Sequence, residues 1–229
     1  MKKLLKSNIV FIVCFAICWL ILFGAIIYYD KTDLHLLLNS FHSGSLDILF
    51  SHLTIIAQFG AYVLVLFLLF KRLADSVFVL TAELVSGLIV QIIKHIVKAP
   101  RPSVVFDIFN NPDILPLVEG VKLHTSNSFP SGHTSSFIVI FFALSIIVSA
   151  NITDKNKYAT YLSQFLFAIV AVAGAYSRIY LSQHFAQDVL PGGLIAFVFT
   201  PVCYQLINKL ADKYPKTMNW KIPIRKCLK

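Results

Sequence analysis

A stretch in the last third of the chain, Ser177 to Asp188, reads SRIYLSQHFAQD and lies at the junction of two apolar runs. Charged residues beside bilayer-length apolar segments are costly unless they are paired, hydrated or used in a function. His184 and Asp188 are four residues apart, so on a helix they share one face, and the carboxylate can fix the tautomer of the imidazole. The other ring nitrogen is then available as a nucleophile or base, while Arg178 supplies a planar cation suited to phosphate or carboxylate. Without a function, the same pattern is a helix end with a capped aspartate and two interfacial polar residues.

A second polar segment, KHIVKAPRP at residues 94–102, follows the third apolar run. Lys94 and Arg101 provide two cations. Pro100 disfavours helical geometry at Ala99, so the segment predicts a helix end followed by a stiff exit. Two cations at a membrane surface are common, because long basic side chains extend toward the headgroups, so this segment is informative only together with its neighbours.

A third segment, SFPSGHTSS at residues 128–136, immediately precedes the fourth apolar run. Ser131 is suited to an N-cap, and Gly132 lets the backbone approach a ligand closely. The free N–H groups of the first helical turn then face an anion, which the helix dipole also attracts. His133 adds a titratable group at the same point.

The longest connection between apolar runs, residues 103–129, has a length that suits a lid or a substrate-contacting segment. The sequence does not indicate which of its polar residues contact a ligand. Its charged and titratable residues are Asp107, Asp113, Glu119, Lys122 and His124.

One acidic residue, Glu83, lies inside an apolar run. It precedes Lys94 by eleven residues, close to three helical turns, so both side chains point the same way, toward the bundle interior. Glu83 is therefore either a buried partner in a polar network or a group that tunes a site deeper than the surface.

The composition places the chain in a membrane. Of its 229 residues 57% are hydrophobic, against about 45 to 50% in soluble domains, and the mean hydropathy is +0.76. Windows of about 20 residues with few charges predict membrane-spanning helices. Six such windows occur, at residues 8–29, 51–70, 73–93, 132–150, 158–176 and 189–208.

The fold class predicted from these windows is an all-α polytopic membrane protein with six transmembrane helices, in which residues 1–229 form a single membrane-embedded domain. The first window ends without a small-x-small cleavage site, which favours an uncleaved helix over a signal peptide. Residues 30–50 predict a short amphipathic segment in the outer interface, where His35 and His42 are interfacial rather than catalytic. The four cysteines show no pattern for an extracellular disulfide.

The net charge of +9 is distributed unevenly between the connections. With the N-terminus inside, fourteen of the 20 Lys and Arg residues fall on the inner side and six on the outer side, which predicts both termini in the cytoplasm. The basic tail at residues 209–229 then lies against anionic lipid headgroups. This placement favours membrane lipids as partners and argues against nucleic acid.

In this topology the three polar segments all reach the outer face. Lys94 and Arg101, the turn at residues 131–133, and the stretch from Arg178 to Asp188 come from three separate connections. Such convergence rarely arises by chance, so the sequence predicts one cluster there.

The three segments also carry family motifs. KHIVKAPRP fits KxxxxxxRP, FPSGHT contains PSGH, and SRIYLSQHFAQD fits SRxxxxxHxxxD, in that order. Together, over residues 94–188, they resemble the signature of the type 2 phosphatidic acid phosphatase superfamily of membrane lipid phosphatases, which shares its site with vanadium haloperoxidases.

The resemblance implies that His184 attacks phosphorus to form a phosphohistidine and that Asp188 holds its ring. It also implies that His133 protonates the leaving oxygen and later activates water. No metal or cofactor is implied, since cations and backbone N–H groups can stabilise the charge on the phosphoryl oxygens. The residues that the resemblance assigns to those oxygens are Lys94, Arg101, Ser131, Gly132 and Arg178.

The function expected from the resemblance is hydrolysis of a phosphorylated lipid at the outer face of the cytoplasmic membrane. Candidate substrates are undecaprenyl diphosphate, phosphatidate or phosphatidylglycerol phosphate, and lipid A phosphates. A catalytically silent scaffold, a haloperoxidase and a transporter-like protein that binds phosphorylated lipid are the alternatives. A transporter would show paired broken helices, whereas Pro191, Gly192, Gly193 and Pro201 are expected to break only the sixth window. The sequence does not indicate the oligomeric state.

Overall fold

The computed structural model describes residues 1–108, 115–151 and 157–220. Predictions that concern Asp113, Lys155, Cys227 and the tail beyond residue 220 lie outside these ranges. Within them all regular secondary structure is helical. The helices are α1 (Lys2–Ser7), α2 (Ile9–Tyr28), α3 (Lys31–Leu38), α4 (Gly44–Leu69), α5 (Leu73–Val97), α6 (Pro102–Ile108), α7 (Gly132–Asn151), α8 (Lys157–Tyr180), α9 (Ala186–Lys213) and α10 (Pro215–Met218).

Six of these helices, α2, α4, α5, α7, α8 and α9, are long and apolar enough to cross a membrane. The predicted all-α class with six spanning helices is therefore confirmed. Each helix coincides with one of the six apolar windows, because a run of about 20 apolar residues both spans hydrocarbon and satisfies its own backbone hydrogen bonds.

Helix α7 lies at the centre of the bundle. More than half of its apolar window is buried, 56%, against 17% for α2 and for α4. A helix that is apolar on all sides suits such a position, because every face meets another helix. Gly174 of α8 permits close packing there, since a Cβ at that position would lie 2.3 Å from the ring of Phe137.

A second close contact brings the start of α9 against the start of α7. A Cβ on Gly192 would lie 2.4 Å from the carbonyl oxygen of Ser131, and the Ser131 amide donates to the carbonyl of Asp188 at 2.9 Å. Because Ser131 and Asp188 belong to two different motifs, this helix pair joins them directly.

The expected break in the sixth window is wrong. Pro191 and Pro201 both lie inside the continuous helix α9. A proline removes a single backbone hydrogen bond, and neighbouring helices make that loss tolerable in a membrane span. Here the Trp19 indole of α2 donates to the Leu190 carbonyl at 2.9 Å, so α9 is supported beside its first proline.

The segment between the first two spans also differs from the expected boundaries. Only Lys31–Leu38 forms a separate short helix, and α4 begins at Gly44. Ser43 explains the earlier start, because its side chain accepts a hydrogen bond from the Leu46 amide as an N-cap. The interfacial location of α3 stays a prediction.

Candidate active site

The residues that the three motifs predict are gathered where α5, α7, α8 and α9 begin or end. All are buried or half-buried, although every one except Gly132 is polar or charged. The most buried are Ser131 at 0%, His184 at 1%, Asp188 at 2%, Arg178 at 4%, and Lys94 and Arg101 at 9% exposure, while Gly132 and His133 are half-buried.

His184 lies in the turn between α8 and α9, residues 181–185, and not on a helix as the four-residue spacing suggested. Asp188 is on the first turn of α9, and its Oδ2 accepts the Phe185 amide at 2.9 Å. This capping bond folds the turn back over the helix start, so that His184 Nδ1 lies 3.6 Å from Asp188 Oδ2. The expected pairing is present, but a helix cap produces it.

The ring nitrogens of His184 have distinct partners. Arg101 Nη1 lies 3.4 Å from Nε2, and because a guanidinium can only donate, Nε2 must carry a lone pair. The proton is therefore on Nδ1, facing Asp188. Burial, with the charges of Arg101 and Arg178 adding to it and the nearby Asp188 carboxylate opposing it, lowers the pKa of His184 to about 3. The imidazole is neutral, with its lone pair directed at Arg101.

The three cations are held by neutral oxygens. Lys94 Nζ donates to the Asn127 carbonyl at 2.7 Å, and Arg101 Nε donates to the Ser126 carbonyl at 3.0 Å. Arg178 Nη1 donates to Thr54 Oγ1 at 2.7 Å, while its buried Nε has no hydrogen-bond partner among the described residues.

No described carboxylate forms an ion pair with these cations. Asp188 acts on Lys94 and Arg101 electrostatically, but one carboxylate leaves the three positive charges of this largely buried cluster only partly compensated. Such a cluster attracts an anion, and it favours planar or tetrahedral oxyanions that several donors can share.

The start of α7 faces the same cluster. Ser131 is its N-cap, since the Thr134 amide approaches Ser131 Oγ at 3.4 Å. A Cβ at Gly132 would make only an ordinary contact, 3.6 Å from Val90, so packing alone does not require glycine there. His133 lies within electrostatic range of Lys94, Arg101 and Arg178, and its buried Nε2 has no partner in the part of the chain that the structure describes.

Two residues that the motifs leave unspecified also belong to the cluster. Ser128 Oγ donates to Asp188 Oδ2 at 2.6 Å and lies 3.4 Å from His184 Nδ1. Gln183 accepts from Arg101 Nη1 through its carbonyl at 2.8 Å and its side-chain Oε1 at 3.2 Å. The sequence offered one signal that these two residues belong to the site, their position next to a motif. Ser128 directly precedes FPSGH, and Gln183 directly precedes His184.

The long connection is attached to the site. Gln183 Nε2 donates to the Lys122 carbonyl at 3.1 Å, and the Arg101 amide donates to the Thr125 carbonyl at 3.2 Å. Partial burial, followed by the charge of Arg101 and other nearby cations, lowers the pKa of His124. The connection therefore contacts the site through backbone carbonyls, as a cover that holds the cations in place.

The position of His35 differs from the prediction. His35, predicted to be interfacial, is fully buried, with Nε2 3.4 Å from Ser182 Oγ and its ring edge-on to Phe185 at 5.1 Å. Its sequence neighbours resemble an interfacial helix, and only the tertiary fold turns this face inward.

Glu83 has the buried partner that its position suggested. Ser136 of α7 donates to Glu83 Oε1, which links α5 and α7 below the cluster. Whether Glu83 tunes the site stays a hypothesis.

Six membrane-length helices, with a buried, cation-rich His–Asp cluster at the ends of four of them, indicate a multi-pass membrane protein with a cluster whose charge suits an oxyanion. The chain belongs to the PAP2 superfamily, whose family model matches residues 75–212. That range contains each of the three motifs.

Relatives support this assignment. The chain is 31% identical over 107 residues to phosphatidylglycerophosphatase B of Bacillus subtilis, covering 44% of the chain and 49% of the relative. It is 29% identical over 150 residues to the lipid A 4'-phosphatase of Porphyromonas gingivalis, covering 62% of the chain and 57% of the relative. The chain thus spans between 23% and 57% of the length of the curated relatives that it matches.

A solved structure shares the fold. The crystal structure of Aquifex aeolicus LpxE superposes with a TM-score of 0.57 at 24% sequence identity, covering 79% of this chain and 98% of that one.

Proposed function

We propose that this protein is a phosphatase that hydrolyses a lipid phosphate or diphosphate through a phosphohistidine intermediate. The observation that carries the proposal is the neutral His184 beside Asp188, with Nε2 3.4 Å from Arg101, in a buried cluster that also contains Lys94 and Arg178. The family membership and the names of the relatives support the reaction class and the lipid nature of the substrate.

In the first step His184 Nε2 attacks phosphorus, and the bond from phosphorus to the leaving oxygen breaks. Because the anionic phosphate offsets the charges of Lys94, Arg101 and Arg178, His133 carries a proton in the substrate complex and gives it to that oxygen. The lipid then departs as an alcohol, or as a phosphate when the substrate is a diphosphate. Asp188 keeps the Nδ1 proton of His184 in place and stabilises the positive charge that develops on the ring.

In the second step His133 takes a proton from water, which attacks the phosphohistidine and breaks the phosphorus–nitrogen bond. The equatorial oxygens carry the charge in both steps. Their proposed donors are Lys94, Arg101, Arg178, Ser131 and the backbone N–H groups around Gly132. In this proposal these donors supply the charge stabilisation, so it includes no metal and no cofactor.

The proposed location is the cytoplasmic membrane, with the site toward the exterior or periplasm and both termini in the cytoplasm. The distribution of lysine and arginine supports this orientation. Residues 1–229 would then form one membrane-embedded domain with its motif core at 94–188 and a basic cytoplasmic tail at 209–229. Labelling of Glu119→Cys, but not of Tyr158→Cys, by an impermeant maleimide in intact cells is the expected result, and the reverse pattern contradicts the orientation.

The substrate candidates share a phosphate attached to a membrane-embedded chain. Undecaprenyl diphosphate, phosphatidate or phosphatidylglycerol phosphate, and lipid A phosphates all meet this requirement. The names of the Bacillus and Porphyromonas relatives favour the second and third classes equally.

The test is phosphate release from a panel of these lipids in detergent with excess chelator, comparing the parent with His184→Ala. We expect release that survives chelation and falls by more than about 1,000-fold in the variant. His95→Ala is the matched control, because His95 lies exposed beside Lys94 and bonds only to its own helix at Gln91. Full activity in His184→Ala contradicts the covalent mechanism. A parent protein that binds phosphorylated lipid but releases no phosphate favours the silent-scaffold alternative.

A further inference from the structure

One face of the short helix α3 contacts the His184 turn. Lys31, His35 and Asn39 are spaced four apart, so they share a face. Lys31 Nζ lies 4.0 Å from the centre of the Phe185 ring, and His35 meets both Phe185 and Ser182. The polar face of α3 is therefore directed at the turn that carries His184.

Ser182 is the centre of this contact. It has φ +51°, a left-handed conformation that is costly for a residue with a side chain. Its Oγ accepts from Asn39 Nδ2 at 2.6 Å, lies 3.4 Å from His35 Nε2, and donates to the Pro116 carbonyl at 3.1 Å. A hydroxyl has one donor and two acceptor sites, so these three partners saturate Ser182 and fix its position.

The side-chain oxygen of Asn39 is held by His42. Because its Nδ2 donates to Ser182, its Oδ1 faces His42 Nε2 at 2.6 Å. His42 Nδ1 lies 3.2 Å from Asp47 Oδ1, which also accepts the Tyr180 hydroxyl.

The His42 ring connects Asn39 to two spanning helices. Its Nε2 faces Asn39 and its Nδ1 faces Asp47 of α4, while the Tyr180 ring of α8 stacks on it at 4.2 Å. His42 therefore holds the Asn39 side chain in place from the side opposite Ser182.

We propose that α3 is a brace that positions His184, acting through Asn39 and Ser182 and held by the contact between Asn39 and His42. Asn39 and Ser182 are positioning residues, since neither contacts the phosphate-binding cations. The brace keeps the 181–185 turn in the strained conformation in which Nε2 of His184 faces Arg101 and the anion site. It rests on the proposed function, because its effect is read in the rate of phosphate release.

The test compares Asn39→Leu and Ser182→Gly with the parent. Glycine at position 182 tolerates the positive φ and removes only the hydroxyl, so it separates the hydrogen bonds from backbone strain. We expect kcat to fall about tenfold in each variant, with KM and the affinity for vanadate changed by less than about twofold, because the cations are untouched. The kcat of the double variant is expected to be no lower than that of the less active single variant, because both substitutions break the same contact.

Ser40→Ala is the matched control, because Ser40 follows Asn39 but is exposed, and its one hydrogen-bond partner among the described residues is Leu37 of α3. Parental kcat in both Asn39→Leu and Ser182→Gly overturns the brace. So does loss of folding and vanadate binding in both, which would make the contact a stability element. A parent that releases no phosphate from any lipid rejects the proposed function instead.

Two substitutions test the role of His42. Glutamine at this position can still donate to Asn39, whereas leucine cannot, so kcat is expected to fall about threefold or more in His42→Leu and to stay near the parental value in His42→Gln. Parental kcat in His42→Leu removes His42 from the brace.

Discussion

Ser128 provides the shortest hydrogen bond to the carboxylate of Asp188, 2.6 Å against 2.9 Å from the Phe185 amide. All contacts converge on Oδ2, and the 3.6 Å separation from His184 Nδ1 is the longest of them. The carboxylate is therefore placed by Ser128 and the helix cap before it acts on the imidazole.

We expect Ser128→Ala to lower kcat about 10- to 100-fold with little change in KM, because a hydrogen bond to a charged group contributes about 1.5–3 kcal/mol. Ser128→Thr keeps the hydroxyl and should recover most of the rate. Steady-state phosphate release measures both. Ser126→Ala, whose side chain is exposed two residues earlier, should match the parent, and parental kcat in Ser128→Ala would show that the cap alone orients Asp188.

At the residue scale, the sequence predicted which side chains would meet but not what holds them. Lys94, Arg101, His133, Arg178, His184 and Asp188 were found because charged groups beside apolar runs are costly and conspicuous. Ser128, Gln183 and Asn39 are small polar residues in turns, where such residues are ordinary. Their roles arise from contacts over 60 or more residues of sequence, such as Ser128 with Asp188, which no local pattern encodes.

At the scale of elements, the close approach of α9 to the start of α7 depends on Gly192. A Cβ there would lie 2.4 Å from the Ser131 carbonyl, a distance that forces the backbone to move. We expect Gly192→Ala to destabilise the protein by about 1–3 kcal/mol. We also expect lower activity, because the added Cβ would move Ser131 and Asp188 apart. Thermal unfolding in detergent and phosphate release measure the two effects.

Gly87→Ala is the matched control, because Gly87 is also helical but no described atom lies within 4 Å of the point that its Cβ would occupy. Alanine there should leave activity unchanged and stabilise α5 by about 0.5–1 kcal/mol through helix propensity. Equal losses of stability and activity in the two variants would show that the α7–α9 contact is not the cause, because replacing a helical glycine elsewhere would then have the same result.

The helices were predictable from the sequence wherever a long apolar run is sufficient to form a membrane span. The six spans follow from composition, whereas their ends do not. Helix α4 begins at Gly44 because Ser43 caps it, and α9 passes through Pro191 and Pro201 because its neighbours support it. Helix α3 was expected as a short interfacial segment, but its inward polar face depends on the position of the His184 turn.

At the scale of the whole molecule, two buried histidines make stability depend on pH. Burial lowers the pKa of His184 to about 3 and that of His35 to about 4, while histidine in an unfolded chain titrates near about 6.5. Between these values the unfolded chain binds protons that the folded chain excludes. The free energy of unfolding therefore falls as the pH is lowered from about 6.5 toward about 4.

Thermal unfolding of the detergent-solubilised protein at a series of pH values measures this dependence. We expect the parent to lose stability on acidification, and His35→Gln, which removes one of the two groups but retains a polar side chain beside Ser182, to lose less. If the midpoint temperature of thermal unfolding is the same at pH 7 and pH 4.5, the folded protein does not exclude protons from His184 and His35.

The excess positive charge of Lys94, Arg101 and Arg178 has a consequence for the end of the reaction cycle. Inorganic phosphate, the second product of the proposed reaction, carries the same oxygens that the three cations attract, and Asp188 offsets only part of that charge. Product departure is then slowed by the same attraction that draws the substrate in. Turnover would be limited by phosphate release and would respond, as product inhibition, to the phosphate concentration on the side of the membrane that the site faces.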